Sequence, residues 1–287
     1  MRIHFENDLR VVTFRQSWAD TAMMCLDRAR QDRDRDRSIE TEATALGTGL
    51  HAGIEAALTG ALDNPSALLD HAVAAFDSID KVFVDDDRET CVKHLRRWIG
   101  DLRNVPDFIE AYRSEDKMVE TNFTITVAQR RSKGYAAPGH FTEEFGTTTE
   151  MRWNGTWDVL LPNLHMKDWK TAGRAYTPWE RQRWAVQPTF YTEAARQMGL
   201  LPAKSEFRYV VFQKKNKPPQ IVTVHRDHRF TAHMVNTLWR IVDLHDALPE
   251  GPWPINDQHA LCSPKWCPFW STCKGANVPD DFMKENK

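Results

Sequence analysis

The sequence predicts an α/β protein with a mixed central sheet flanked by helices. Apolar residues first recur at helical spacing, and further along the chain the pattern changes to the period-two alternation of strands. A helical pattern then returns between two groups of strands. With 287 residues, of which 41% are hydrophobic, the chain is long enough to bury a substantial core.

Helices are predicted first along the chain. Residues 17–30 show helical spacing, and residues 64–112 form a longer helical stretch in which Pro65 and Pro106 are expected breaks. Between them, one apolar helix face is formed by residues that recur every fourth position, which are Leu46, Leu50, Ile54 and Leu58. These stretches predict a mainly helical first part of the chain.

Strands are predicted where alternation replaces this pattern. Phe123, Ile125 and Val127 alternate with threonines within residues 118–127. Residues 154–171 predict two more strands that turn at Pro162-Asn163. After them come a helix over 177–198, a hairpin formed by 208–212 and 220–224, and a last helix over 231–247.

We expect one integrated domain with three consecutive regions. Residues 1–115 form an N-terminal helical region that carries Cys25 and His51, residues 116–248 form the core, and residues 249–287 form a segment rich in proline and cysteine. No apolar run of membrane-spanning length and no signal-peptide pattern is present, which predicts a cytoplasmic protein without a membrane anchor. The formal charge of -2 neither predicts nor excludes a nucleic-acid partner.

Two acids and a lysine stand close together within the predicted hairpin. Asp158 ends Gly155-Thr-Trp-Asp158 on one strand, while Asp168 and Lys170 lie two residues apart on the next and so share a face. Two carboxylates from adjacent strands can hold magnesium or manganese, and a lysine beside them can orient or activate water. This suits hydrolysis of a phosphodiester, although charged residues on an exposed hairpin are a simpler reading.

Further motifs carry a family resemblance. Gly47-Thr-Gly-Leu-His51, Gly155-Thr-Trp-Asp158, Asp168-Trp-Lys170-Thr171 and Gln187-x3-Tyr191 occur in this order. Together they resemble the motifs of RecB-family nucleases, within the PD-(D/E)XK superfamily. The chain looks most like the stand-alone iron-sulfur exonucleases associated with CRISPR systems and phages. This resemblance implies a restriction-endonuclease-like core.

The resemblance also implies roles for individual residues. Four groups would bind the metal ion, namely His51, Asp158, Asp168 and the main-chain carbonyl of Trp169. Lys170 would be the catalytic lysine, and Gln187 and Tyr191 would support the site or touch DNA. Glu120 on the first predicted strand is a candidate extra ligand, or else an exposed strand acid.

Three of the five cysteines crowd near the end of the chain as Cys262-x4-Cys267-x5-Cys273. A tetrahedral zinc site or a 4Fe-4S cluster needs four ligands. The resemblance takes the fourth from Cys25, so that a 4Fe-4S cluster would join the two ends of the chain. Zn²⁺ with Cys25 or His259 as fourth ligand, or three unrelated thiols, are the alternatives, and Cys91 is expected in the core.

The segment between Lys170 and Gln187 contains both cationic and aromatic residues. The candidate DNA-binding residues are Arg174, Tyr176, Trp179, Arg181, Arg183 and Trp184. Such mixtures can grip phosphates and stack on unpaired bases. Ordinary packing and surface positions are the simpler reading of each one.

The resemblance implies a Mg²⁺- or Mn²⁺-dependent deoxyribonuclease. It would act as an exonuclease on single-stranded DNA ends, in recombination, repair or phage DNA processing. One alternative is a DNA-binding or recombination scaffold, in which the catalytic residues would be lost, but Asp168 and Lys170 are both present. Another is a CRISPR adaptation factor that trims spacers with an integrase partner. Oligomeric state is left open.

Overall fold

The fold is described from a computed structural model that covers residues 1–7, 9–32, 40–131, 148–251, 253–256, 262–263, 267–270 and 273. Its helices are α1 (Gln16–Met24), α2 (Leu26–Asp32), α3 (Glu42–Leu58), α4 (Pro65–Asp77), α5 (Arg88–Asp101), α6 (Pro106–Arg113), α7 (Pro178–Trp184), α8 (Gln187–Gln197) and α9 (His228–Ala247). Its strands are β1 (Arg2–Glu6), β2 (Leu9–Arg15), β3 (Glu40–Thr41), β4 (Lys81–Val82), β5 (Met118–Arg131), β6 (Thr148–Leu161), β7 (His165–Ala172), β8 (Ser205–Gln213) and β9 (Gln220–Arg226).

The chain divides into two compact units, each built from separate segments. The first unit contains Met1–Asp36, Thr126–Trp153 and Ala232–Lys287, and the second contains Arg37–Ile125 and Asn154–Thr231. Strands β5 and β6 each pass from one unit to the other along the chain. The division into regions at residues 115 and 248 stays a prediction of the sequence.

The second unit is built on a mixed sheet. Its strand order is β6-β7-β8-β9, and β5 pairs with β6. Strand β7 is antiparallel to β6 and parallel to β8, and β9 is antiparallel to β8. This confirms the predicted mixed sheet. Strand β7 has a neighbour on each side, and its side chains alternate between the two faces of the sheet.

Helices cover both faces of this sheet. On one face, α3 to α6 enclose a hydrophobic core that includes Trp169 of β7 and Phe212 of β8. Gly49 lets α3 approach α4 closely, since a Cβ there would lie 2.7 Å from the carbonyl oxygen of Ala72. On the other face, Tyr191 of α8 packs against Phe207 of β8, with ring centroids 6.2 Å apart. The α/β architecture predicted from the sequence is confirmed.

The predicted breaks at Pro65 and Pro106 are confirmed, but other predicted helix boundaries were wrong. The two prolines are the first residues of α4 and α6, where the missing N–H of proline removes no helical hydrogen bond. The helical stretch predicted over 64–112 is also interrupted between α4 and α5, where β4 lies. The helix expected over 177–198 is instead two helices, since Ala185 and Val186 separate α7 from α8. The hairpin turn at Asn163 is confirmed, and this residue adopts a left-handed φ of 63°.

The first unit contains an N-terminal hairpin that the sequence reading missed. Strands β1 and β2 pair antiparallel, with Ile3 opposite Val12. Helix α1 ends at Met24, the main chain is extended at Cys25, and α2 begins at Leu26. None of the helices in the described ranges combines the length and apolar character needed to cross a lipid bilayer.

Candidate active site

The predicted site lies where the backbone pairing of β6 and β7 ends. The register runs from Leu161 opposite His165 to Val159 opposite Lys167. One step further, the side chain of Asp158 replaces the strand as acceptor, because its Oδ2 takes the N–H of Trp169 at 2.7 Å. The two strands therefore open at the level of Asp158, which gives side chains from other elements access to the main chain of β7.

The main chain of Trp169 is bound by side chains on this side. Its N–H reaches Asp158, and its carbonyl oxygen lies 2.7 Å from Nε2 of His51. The indole ring meanwhile is buried in the core beneath α3 and α6. The carbonyl that the resemblance implies as a metal ligand is therefore not used in the sheet ladder and lies beside a second implied ligand.

His51, Glu120 and Asp158 bring their ligand atoms together. One nitrogen or oxygen atom from each lies within 4.8 Å of the others. Nδ1 of His51 is 3.6 Å from both carboxylates. Glu120 has a φ of +44°, in the left-handed region that non-glycine residues rarely adopt. Such local strain is commonly retained at functional sites, so Glu120 belongs to the candidate site.

Asp168 and Lys170 form the next part of the site. As the alternation predicted, they lie on one face of β7, and Oδ2 of Asp168 is 2.5 Å from Nζ of Lys170. Gln187, at the start of α8, donates from Nε2 to Oδ1 of Asp168 at 2.6 Å. The Asp168 carboxylate is fully buried, whereas 29% of the Lys170 side chain is exposed. Lys170 is thus the member of this pair that solvent reaches.

The pKa values in the site reflect crowded negative charge. Burial lowers the pKa of His51, but Asp158 and Glu120 outweigh burial and raise it to about 9. Burial and the neighbouring Asp158 raise the pKa of Asp168 to about 7. Burial would lower the pKa of Lys170, but Asp168 and Asp158 hold it above its ordinary value, so Lys170 is a cation at neutral pH. The neighbouring carboxylates thus favour protonation of the groups around them. The same concentration of negative charge favours binding of a divalent cation.

Gly155 explains part of the Gly155-Thr-Trp-Asp158 motif. A Cβ at this position would lie 2.9 Å from Phe123 and 3.0 Å from Tyr191. These two rings meet edge to face with centroids 5.5 Å apart. The absence of a side chain therefore lets Tyr191 of α8 approach β6 next to Asp158. Burial and Asp168 raise the pKa of Tyr191, so its phenol keeps its proton.

The candidate DNA-binding residues are distributed between β7 and α8. Arg174, Trp179, Arg183 and Trp184 are exposed, whereas Tyr176 and Arg181 are half-buried. The guanidinium of Arg181 lies over the ring of Tyr176, 3.8 Å from its centroid. Trp179, Arg183 and Trp184 all lie on α7.

The four predicted cluster cysteines line one pocket of the first unit. Cys25, Cys262, Cys267 and Cys273 are all among its lining residues. Among the described residues, however, no three of these sulfurs lie within 4.8 Å of one another. His259, the alternative zinc ligand, lies outside the described residues. Cys91 is fully buried in the core of the second unit, as expected.

Two structural groups were missed by the sequence reading. Asp107, Glu110 and His165 form a second acid and histidine group, but the buried Nζ of Lys167 lies 2.6 Å from Glu110 within it, so it holds a cation already. Arg226 on β9 is 1% exposed and hydrogen-bonds to main-chain carbonyls around α7. Neither has a local sequence signal, because each depends on partners far along the chain.

The fold and this arrangement of acids, histidine and lysine define a metal-dependent nuclease. The family model of the PD-(D/E)XK nuclease superfamily matches residues 22–274, so the chain belongs to that superfamily. A search of curated proteins finds no match to the chain. The predicted superfamily is confirmed, and the narrower likeness to RecB-family and iron-sulfur exonucleases stays a prediction.

Proposed function

We propose that this protein is a Mg²⁺- or Mn²⁺-dependent DNA exonuclease that acts on single-stranded ends. The observation that supports it most is the convergence of His51, Glu120 and Asp158 within 4.8 Å, beside the Asp168 and Lys170 pair. Membership of a nuclease superfamily supplies the reaction type.

The donor set fits a hard divalent cation. Carboxylate and carbonyl oxygens with one imidazole are ligands that suit magnesium and manganese. Asp158, Asp168, His51, Glu120 and the carbonyl of Trp169 would hold the ion. When bound, a divalent cation supplies Lewis-acid stabilisation of phosphate charge and lowers the pKa of bound water.

The protein's own groups have separate tasks in this proposal. Lys170 is cationic and partly exposed, so it can donate hydrogen bonds to a phosphate oxygen as negative charge increases during attack. Gln187 fixes the Asp168 carboxylate through its hydrogen bond, and is therefore a positioning residue. Tyr191 packs beside it and retains its proton.

Cleavage of end-labelled DNA tests the proposal. Wild-type protein, Asp168→Asn and Lys170→Met are incubated with single-stranded or duplex DNA and with Mg²⁺, Mn²⁺ or EDTA. We expect metal-dependent cleavage that starts at single-stranded ends and is lost in both variants. Asp116→Asn, which changes an exposed acid outside the site, is the matched control and should retain activity.

Two results would contradict the proposal. Equal cleavage by Asp168→Asn and wild type would rule out the proposed active site. If folded wild-type protein binds DNA but does not cleave it, the scaffold alternative would be favoured. Co-purification with an integrase would distinguish CRISPR adaptation from recombination, repair or phage DNA processing.

We further propose that Cys25, Cys262, Cys267 and Cys273 bind a 4Fe-4S cluster. They line one pocket, and the chain after α9 is tied to the helices beside Cys25, since Asp27 donates its N–H to Pro254 and Asn256 donates to the carbonyl of Met24. A single zinc ion would hold four thiolates about 3.8 Å apart, as Zn–S bonds of about 2.3 Å require. The resemblance to iron-sulfur exonucleases favours a 4Fe-4S cluster, in which each of the four thiolates binds a different iron.

Metal analysis after anaerobic purification tests this second proposal. We expect iron and sulfide in wild type, with their loss and a lower Tm in Cys267→Ala, because metal binding is coupled to folding. Cys91→Ala is the matched control, since this thiol lies in the core of the other unit and should leave iron content unchanged. Stoichiometric zinc without iron, or unchanged iron in Cys267→Ala, would contradict it.

A further inference from the structure

Helix α7 presents two large aromatic side chains to solvent. Trp179 is 59% exposed and Trp184 is 62% exposed. None of the seven residues of the helix is buried. Tryptophan is highly buried on average, so two exposed rings on one short helix are unusual. Packing within the second unit does not explain why these positions are tryptophan.

Arg183 connects the two rings. Its guanidinium lies 4.7 Å from the ring centroid of Trp184 and 5.5 Å from that of Trp179. The rings themselves meet edge to face, with centroids 6.5 Å apart. Cation–π and edge-to-face contacts of this kind hold aromatic rings in defined orientations. The exposed rings are therefore ordered with respect to each other while much of their surface stays accessible.

Helix α7 is held in place by hydrogen bonds to main-chain carbonyls at its C-terminal end. Buried Arg226 donates to the carbonyls of Gln182 and Ala185 at 3.0 Å and of Arg181 at 3.3 Å. The side chain of Gln182 also bonds both main-chain groups of His225. The helix is thus anchored to β9 without burying its own side chains, which leaves the tryptophans free for a ligand.

The position of α7 in the chain places it next to the candidate site. Lys170 lies before it and Gln187 after it, and Gln187 contacts Asp168. Gln187 follows Trp184 by three positions, so their Cα atoms are at most about 11 Å apart. That distance corresponds to about three stacked nucleotides, at about 3.4 Å each.

We infer that α7 is a stacking surface for unpaired nucleobases of the strand that enters the active site. This deepens the proposed nuclease function and rests on it. In a duplex, neighbouring base pairs cover the faces of each base, whereas a single strand can place its bases against Trp179 and Trp184. The positive charge of Arg183 complements the phosphates of the same strand.

Binding without metal tests this inference separately from cleavage. The full-length protein is titrated in EDTA with a fluorescent single-stranded oligothymidine and with a duplex of equal length. We expect Trp179→Ala and Trp184→Ala each to weaken single-strand binding about tenfold, within the range found for base stacking, with little effect on the duplex. Phe83→Ala, which removes another exposed aromatic side chain, is the matched control and should bind as wild type does.

Salt dependence separates stacking from charge. The tryptophan variants should keep the wild-type slope of log K against log salt, whereas Arg183→Gln should reduce its magnitude by about 0.7 if it contacts one phosphate. Single-strand affinities equal to wild type in both tryptophan variants would overturn the inference and leave this surface to a protein partner. Equal losses on single strand and duplex would overturn the specificity for unpaired bases.

Cleavage data then distinguish the two proposals. If the wild type cleaves DNA, the tryptophan variants should raise KM for single strands while kcat changes little, since no metal ligand is altered. If the wild type does not cleave, the proposed nuclease activity fails, yet the binding titration still decides whether α7 stacks on bases.

Discussion

Lys167 and Lys170 lie on opposite faces of β7. Substitution of Lys167 should mainly lower stability, and substitution of Lys170 should mainly lower activity. The Lys167 side chain is fully buried, and its Nζ donates to the carbonyl of Asp107 and to Glu110, both at 2.6 Å. In Lys167→Met, Arg208, at 3.2 Å, would be the remaining cation beside the buried carboxylate of Asp107 within the described ranges. Removing one partner from a buried ion pair costs about 3–5 kcal/mol. At about 2–4 °C per kcal/mol, Tm should fall by about 6–20 °C.

Lys170→Met should lower activity strongly and stability less. Solvent reaches this side chain, and Asp168, whose pKa is raised to about 7, can take a proton and keep its hydrogen bond from Gln187 after the substitution. Tm should therefore fall less than in Lys167→Met. In the proposed mechanism Lys170 stabilises charge in the transition state, so its loss should lower kcat about 100- to 1,000-fold.

Thermal melting and single-turnover cleavage with Mn²⁺ measure both effects. At a temperature where Lys167→Met is folded, it should cleave at close to the wild-type rate. Loss of cleavage in folded Lys167→Met, or equal falls in Tm for the two variants, would refute the assignment of these lysines to structure and to catalysis.

Four further substitutions have expected outcomes. Asp168→Asn should raise Tm in EDTA at pH 8, because it removes a buried carboxylate that Asp158 repels; a lower Tm by calorimetry would contradict this. Gly155→Ala should lower the free energy of unfolding by about 1–3 kcal/mol through overpacking, whereas Gly100→Ala, where a Cβ meets no neighbour, should raise it by up to about 1 kcal/mol, as denaturant titrations can show. Arg226→Met should lower Tm and weaken single-strand binding together, because α7 loses its anchor; unchanged oligothymidine affinity would count against this coupling.

The sequence predicted the parts of the site that depend on local periodicity. The two-residue spacing of Asp168 and Lys170 placed them on one face of β7, and the four-residue spacing of Gln187 and Tyr191 placed both on α8. These relations follow from strand and helix geometry alone. The hairpin turn at Asn163 was predictable from residue type instead, because proline and asparagine favour turns.

Other features depend on contacts that no local pattern encodes. Alternation does not predict the left-handed φ of Glu120, which accompanies its approach to His51. The anchoring of α7 by Arg226 joins residues about 40 positions apart, as the Gln182 and Arg226 hydrogen bond illustrates. The N-terminal hairpin had a local signal, because Ile3 and Phe5 alternate with polar residues before Asn7, but so short a run is ambiguous without its partner strand.

Trp169 contributes its side chain to the hydrophobic core and its main-chain carbonyl to the candidate active site. Its indole is wedged in the core with Phe108 of α6, at a centroid separation of 6.4 Å, while its carbonyl faces His51. No substitution can remove that carbonyl, because every amino acid carries one. A smaller side chain can nevertheless displace it by letting the strand relax into the vacated space. A substitution deep in the apolar interior can thus alter the candidate active site through a single peptide group.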